Sequence, residues 1–243
     1  MKGLILALQF LTRFPIPLAI DFNQDNARAS LFFFPWVSFL IGLATGGLLQ
    51  VLRPLSPSIG SFLALILWIF LTGGLHIDGV CDTLDGFFSN RDREEVLRIM
   101  KDSTVGSFGV LGLVFLIIGK AIFLREIDLK ALDLAFLVAG ARLGVLLLIL
   151  YFPSARPGGL GNIFQRAQPL AHVLFSSLLL LGLAFFYKKS LLLVILASLL
   201  LAFFMGQWSI KKIGGVTGDV FGFAQEYGEL FALLIYWGVS LWI

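Results

Sequence analysis

Charge and sulfur are both scarce in this chain. Of its 243 residues only 14% are Asp, Glu, Lys or Arg, and Cys81 is the one cysteine. A lone cysteine excludes an internal disulfide and a cysteine-based zinc centre. Its simplest role is that of a small buried hydrophobe. No run of basic residues marks a nucleic-acid surface, and the formal net charge of +3 is spread over loops, so nucleic acid is not an expected partner. No signal peptide is expected in Met1–Ile20, because Arg13, Pro15 and Pro17 interrupt its apolar run and no small-residue cleavage site follows. Gly3–Leu11 is too short to span about 30 Å of hydrocarbon, which predicts an interfacial or re-entrant segment that stays on the protein. Neither an internal repeat nor an interdomain linker is visible, so residues 1–243 read as one domain.

Apolar sequence is what the chain has in excess. Hydrophobic residues make up 58% and the mean hydropathy is +0.96, values that fit a polytopic membrane protein and not a soluble domain. The expected fold class is all-α, a helical membrane bundle of about seven spans at Leu31–Leu52, Ile59–Leu75, Phe108–Leu124, Ala131–Phe152, Leu170–Tyr187, Ser190–Trp208 and Gly228–Ile243, each near the roughly 17–25 residues required. Pro54, Pro57, Pro153, Pro157 and Pro169 fall in the connections, where a missing backbone N–H does least harm. Seven spans leave eleven Lys and Arg residues in the loops of one side, Arg91, Arg98, Lys101 and Arg156 among them, against five on the other. The richer side is expected to face the cytoplasm.

The polar stretches that can carry chemistry all lie on that side. In Thr72-Gly-Gly-Leu-His-Ile-Asp-Gly-Val-Cys-Asp-Thr-Leu-Asp-Gly-Phe87 a helix would place Asp78, Asp82 and Asp85 at i, i+4 and i+7 on one face. Like charges so spaced cost about 0.2–0.5 kcal/mol per pair, so a cation is expected there. Mg²⁺ takes carboxylate oxygens and fills its other positions with water or substrate phosphate, which makes a phosphate-handling metal site the reading of choice. Gly79 and Gly86 each follow an aspartate and let backbone or ligand come close. A solvated acidic loop is the plainer alternative, and three carboxylates in register weigh against it. In the charged stretch that follows, Ser89 with Asp92 resembles a capping box, and Val96, Ile99 and Met100 form an apolar edge on an interfacial helix. Lys101 and Asp102 stand just before Gly106, Gly109 and Gly112, a small-residue stripe suited to close helix packing.

Two basic residues fall inside predicted spans. Lys120 is near the membrane edge and is expected to snorkel without a function. Arg142 is near the middle of its span, where a charge is a functional candidate by default, and small neighbours Ala139, Gly140, Ala141 and Gly144 turn it toward the bundle to meet a carboxylate or phosphate. Opening the last span, Asp219, Glu226 and Glu229 share one broad helical face. This second acidic group on the same side as the first suggests a shared polar cavity.

Taken together and in order, these stretches resemble cobalamin synthase, the adenosylcobinamide-GDP ribazoletransferase family. The resemblance rests on Leu11-Thr-Arg-Phe-Pro-Ile-Pro17, Thr72–Gly86, Ile99-Met-Lys-Asp-Ser103, Gly159-Leu-Gly-Asn-Ile-Phe164 and Gly214-Gly-Val-Thr-Gly-Asp219 with Glu226 and Glu229. It runs from about Leu8 to the C-terminus. It implies an integral enzyme of the inner membrane, Mg²⁺-dependent, that joins adenosylcobinamide-GDP to α-ribazole or its 5′-phosphate and releases GMP. Asp78, Asp82, Asp85, Lys101, Asp102, Asp219 and Glu226 match the family's motifs. Two positions depart from them: Cys81 stands where alanine is expected, and Phe223 is bulkier than expected and could narrow the cavity.

On this reading Asp78, Asp82 and Asp85 hold the metal against the pyrophosphate, and a ribazole hydroxyl attacks the cobinamide-side phosphorus. His76 or Glu226 could act as general base, although a lone histidine is more often structural. Lys101 and Arg142 are candidates for the phosphate oxygens, and Asp102, Asn162, Asp219 and Glu229 complete the expected substrate contacts. Membrane lipid, a second copy of the chain and other cobalamin-assembly enzymes are the expected partners beyond the two substrates. The competing readings are an ion- or proton-coupled transporter with an acidic midplane site and an intramembrane aspartyl protease. The edge position of the aspartates and the lack of a repeat argue against the first. Clustering of three acids argues against the second.

Overall fold

The computed structural model describes residues 1–156, 158–167 and 169–242; Pro157, and Ile243 at the end of the last expected span, lie outside them. Eleven helices and no strand occur among the described residues. Five of the helices are long and apolar enough to cross a membrane: α2 (Gln24–Leu52), α6 (Ser107–Glu126), α7 (Ala131–Tyr151), α9 (Leu170–Tyr187) and α10 (Ser190–Ile213). Helices α3 (Pro57–Thr72) and α4 (Leu75–Phe88) qualify only as one broken span, bent by 90°. The expected count of seven is therefore not confirmed. The 16 residues of α3 fall short alone, and α11 (Gly218–Ser240) is long enough but carries three acids. The short α1 (Lys2–Leu11) agrees with a segment that does not span, and α5 (Arg93–Ile99) and α8 (Leu160–Arg166) are short connectors of seven residues each.

The bend between α3 and α4 has a local cause. Gly73 and Gly74 both adopt left-handed backbone, with φ of 65° and 68°, a conformation that costs glycine nothing and a residue with a Cβ about 1–2 kcal/mol. Pro57 sits at the first turn of α3 instead of in the connection before it, a position where its missing N–H is harmless.

Helix α7 is the centre of the bundle, 83% buried over its apolar window against 22–50% for the other four spans. Small residues make that possible. A Cβ on Gly42 or Gly46 of α2 would meet the α7 backbone at 2.7–2.8 Å, and one on Gly140 or Gly144 of α7 would strike Ile195 or Ala202 of α10 at 2.8 Å. Backbones this close maximise dispersion contact where lipid supplies no hydrophobic drive. Helix α11 closes on the other side of α7 and crosses α4.

Several local expectations change. Asp92, not Ser89, caps α5, accepting from Glu95 N–H at 3.0 Å, while the Ser89 hydroxyl donates back to Gly86 O. Asn90 between them takes φ 55°, which ends the run. Val96 and Met100 are buried as expected and pack beneath Gly86 of α4. Phe223 packs at 4.9 Å from the Tyr227 ring and 6.3 Å from Trp208, away from the cavity described below, so its bulk does not narrow it.

Candidate functional site

Four aspartates gather at one end of the bundle, and the crossing of α4 with α11 brings them there. A Cβ on Gly79 would lie 2.6 Å from Asp219 O, and one on Gly222 would lie 2.9 Å from His76 O. Each helix thus presents a glycine to the other's backbone. The crossing sets Asp78, Asp219, Arg156 and Asp85 all within electrostatic reach of Asp82. Asp78 is exposed, Asp82, Asp85 and Asp219 are half-buried, and Arg156 is the cation among them.

The three aspartates of the α4 face do different things. Both oxygens of Asp85 accept backbone N–H groups, from Gly106 at 2.7 Å and Gly109 at 2.8 Å, and fasten the start of α6 to α4. The small-residue stripe makes room for this, since a Cβ on either glycine would sit 2.4 Å from the carboxylate. Cys81 is buried in the same contact, its Sγ 3.8 Å from Gly109 O, as expected of a small hydrophobe. Asp78 and Asp82 accept no protein hydrogen bond among the described contacts and face Asp219 across the crossing. Asp219 accepts from Arg156 Nη1 at 3.0 Å and from the Thr217 hydroxyl at 3.2 Å. Thr217 also caps α11 through Val220 N–H.

Arg156 was only a loop charge in the sequence. Here it bridges Asp219 and Leu97 O at 3.0 Å each and so joins α11 to α5. A two-stranded contact holds its loop in place, with Ala155 N–H to Val216 O at 2.9 Å and Val216 N–H to Pro153 O at 2.8 Å. Asn162 lies in the same loop region and lines a polar pocket of about 180 Å³ with Arg156, Thr217 and Asp219. Lys101 and Asp102 are exposed beside α5. The Thr104 hydroxyl and backbone N–H, at 2.6 and 2.9 Å, hold the Asp102 carboxyl below its usual range, which commits it to a turn.

From the carboxylates a cavity of about 210 Å³ runs into the bundle. Exposed Asp78 and Gly218 mark its mouth and buried Arg142 its floor, with His76 beside it. Arg142 pairs with no carboxylate directly among the described residues. Its Nε donates to the Ser38 hydroxyl at 3.0 Å, and Nη1 and Nη2 each lie 3.4 Å from His76 Nε2. A guanidinium only donates, so that nitrogen presents its lone pair and Nδ1 carries the proton. His76 Nε2 thus faces a cation, while Nδ1 is buried and has no hydrogen-bond partner among the described residues.

Glu226 and Glu229 are separate from the four aspartates. Lys120 Nζ, buried and not snorkelling, bonds Glu226 at 2.6 Å and Glu229 at 2.5 Å, and sits 4.4 Å from the centre of the Trp68 ring. Gln225 completes the group with a 2.6 Å bond to Glu229. The shared cavity expected for both acidic groups is thus not formed: Asp219 joins the first, while Glu226 and Glu229 form a buried ion cluster that does not line the cavity. This also takes Glu226 out of reach as a base. Lys120 was missed because its distance from the membrane edge said nothing of α11; two acids three residues apart in an apolar span were the available signal that a cation faces them.

This architecture has known relatives. A family described as cobalamin-5-phosphate synthase matches residues 3–237. The chain belongs to that family. It is 39% identical to the adenosylcobinamide-GDP ribazoletransferase of Caldanaerobacter subterraneus subsp. tengcongensis, over 97% of this chain and 98% of that one. It is also 39% identical to the protein of that name from Treponema denticola, over 96% of each, and 33% identical to that of Clostridium botulinum strain Okra, over 97% of each. No solved structure matches the chain. Every motif on which the resemblance rests lies inside the matched residues, and nothing in these relatives supports a transporter. The ion pair of Asp219 with Arg156 is likewise unlike a carboxylate dyad sharing one proton.

The donor chemistry around Asp82 fits a hard cation. Three carboxylates, Asp78, Asp82 and Asp219, are all-oxygen donors, and only Arg156 offsets them. Among the described residues no three acidic, histidine or cysteine side chains converge closely enough to cage an ion by themselves.

Proposed function

We propose that this chain joins adenosylcobinamide-GDP to α-ribazole or its 5′-phosphate, releasing GMP and forming adenosylcobalamin or its 5′-phosphate, the last assembly step of cobalamin biosynthesis. The observation that carries the reading is the surplus of carboxylates at the mouth of a cavity, in a chain related over nearly its whole length to ribazoletransferases. Asp82, with Asp78 or Asp219 beside it, would hold Mg²⁺ together with substrate phosphate oxygens, and Asp85, both of whose oxygens are engaged, positions α6 beside them. When bound, the metal supplies charge neutralisation at the pyrophosphate.

The ribazole hydroxyl oxygen attacks the cobinamide-side phosphorus, the bond from that phosphorus to the bridging oxygen breaks, and GMP departs with that oxygen. The hydroxyl proton can pass to solvent at the open mouth. Arg156 holds Asp219 within reach of Asp82, and Asn162, which shares a pocket with Gly218 and Asp219, would contact phosphate oxygens together with the exposed Lys101. The excess of Lys and Arg in the loops of this end supports a cytoplasmic orientation in the inner membrane.

The test is GMP release by detergent-solubilised protein supplied with adenosylcobinamide-GDP and α-ribazole. Metal-dependent GMP with a cobalamin product is expected, excess chelator should abolish it, and Asp82→Asn should lower turnover by at least about a thousandfold, roughly 4 kcal/mol of barrier. A fully active Asp82→Asn protein would sink the metal assignment.

A further inference from the structure

Phosphoryl transfer accounts for the carboxylates at the mouth but not for the chemistry of the cavity behind them. Its wall is formed by Phe10, Phe34 and Phe164 with Val145 and Ile149. The rings brace one another, Phe164 meeting Phe10 edge-on at 5.0 Å and Phe34 at 5.4 Å, so the space is held open by packed aromatics. The floor is polar in one sense only. Of the five N–H groups a guanidinium carries, one on Arg142 serves Ser38 and two point to His76 Nε2, which leaves two free to donate.

We infer that this cavity is the acceptor subsite and takes a riboside of an apolar bicyclic base, an inference that rests on the transferase reading above. The base lies among the phenylalanines, its free ring nitrogen accepts from Arg142, and its ribose reaches back to the mouth, where the attacking hydroxyl meets the carboxylate end. Size excludes the other substrate. At about 210 Å³ the cavity has room for a bicyclic base with its ribose left at the mouth, and a corrin macrocycle, several times larger, cannot enter it. Chemistry excludes guanine. Its N1–H and N2–H need acceptors, and buried donors left unpaired cost about 1–3 kcal/mol each. The carboxylates that line the cavity, Asp78 and Asp219, stand at its mouth with the metal site and not among the phenylalanines. A benzimidazole glycosylated on one nitrogen presents a single acceptor and otherwise apolar edges, which is the complement of this lining.

Two variants of the full-length detergent-solubilised protein test this, with α-ribazole binding read by calorimetry without metal or corrinoid, and kinetics read separately. Val145→Phe fills the cavity and should weaken α-ribazole binding and raise its KM by at least about tenfold, with the KM of adenosylcobinamide-GDP within about twofold of wild type. Phe164→Ala removes one wall and should shift preference toward a riboside of the larger naphthimidazole by at least about fivefold. If Val145→Phe elutes as aggregate, the Phe164→Ala preference decides. A rise in the KM of adenosylcobinamide-GDP with unaltered ribazole binding would overturn the subsite, as would an unchanged base preference in Phe164→Ala. No GMP from folded wild-type protein would sink the transferase reading alone, because calorimetry still shows whether the cavity binds the riboside and loses it in Val145→Phe.

Discussion

Two polar clusters share the α11 helix and are built on opposite principles. At its start, Asp219 joins Asp78, Asp82 and Asp85 around the single cation Arg156, partly open to solvent. Two to three turns further on, Glu226 and Glu229 bond Lys120 and lie within electrostatic reach of Arg142, all four buried. The first cluster has an excess of negative charge and the second sums to zero. Buried charges persist only when paired, because removing an ion from water costs several kcal/mol that nothing else in an apolar span returns. A surplus is tolerated only where water or a ligand completes it. The imbalance therefore separates the proposed ligand site from the scaffold better than the number of acids does.

Breaking the balanced cluster should have the largest effect. Lys120→Met leaves two carboxylates buried without their cation and should cost about 3–5 kcal/mol of stability, read as loss of monodisperse protein or a steep fall in Tm in detergent. Adding Glu226→Gln and Glu229→Gln should restore most of it. If that triple variant folds and turns over normally, the cluster is scaffold; if it folds without activity, the cluster takes part in the chemistry and the comparison fails.

Arg156→Gln acts on the unbalanced cluster from its edge. It removes the one cation and frees Asp219, while Thr217 still caps α11. Partners that orient ligating groups typically carry about 10–100-fold in metal affinity or activity, so a matching rise in the Mg²⁺ concentration for half-maximal GMP release is expected, with little change in Tm. A fall in Tm and an unchanged metal requirement would make Arg156 a structural link between α5 and α11.

The smallest expected effect is that of Asp85→Asn. The amide still offers one oxygen to the N–H groups of Gly106 and Gly109 but loses charge at the start of α6, a loss comparable with a weakened helix cap, about 1 kcal/mol. Activity should fall by much less than in Asp82→Asn. Equal losses in the two variants would put Asp85 among the direct metal ligands and restore the uniform aspartate stripe.

That stripe shows how far the sequence reaches. The i, i+4, i+7 spacing is a property of one helix, and α4 bears it out by placing all three aspartates on a face. What each carboxylate meets depends on other helices: Asp85 finds the N–H groups of α6, Asp78 and Asp82 find α11. Lys120 went unrecognised and His76 was not seen to face Arg142 for the same reason. Their partners are 106 and 66 residues away, and no local pattern encodes such distances. At α3 and α4 the apolar length was legible and the 90° bend at two left-handed glycines was not.

By itself the sequence determined the membrane class, the helical fold, the family motifs and the presence of a carboxylate face, since each follows from composition or from a period within one segment. Only the tertiary structure decided which acids are neutralised and which remain in surplus, that Arg142 lies on the floor of an aromatic cavity, and that Arg156 belongs to the site. Charge balance and cavity shape are set by groups brought together across helices, where paired glycines such as Gly79 and Gly222 let the backbones close.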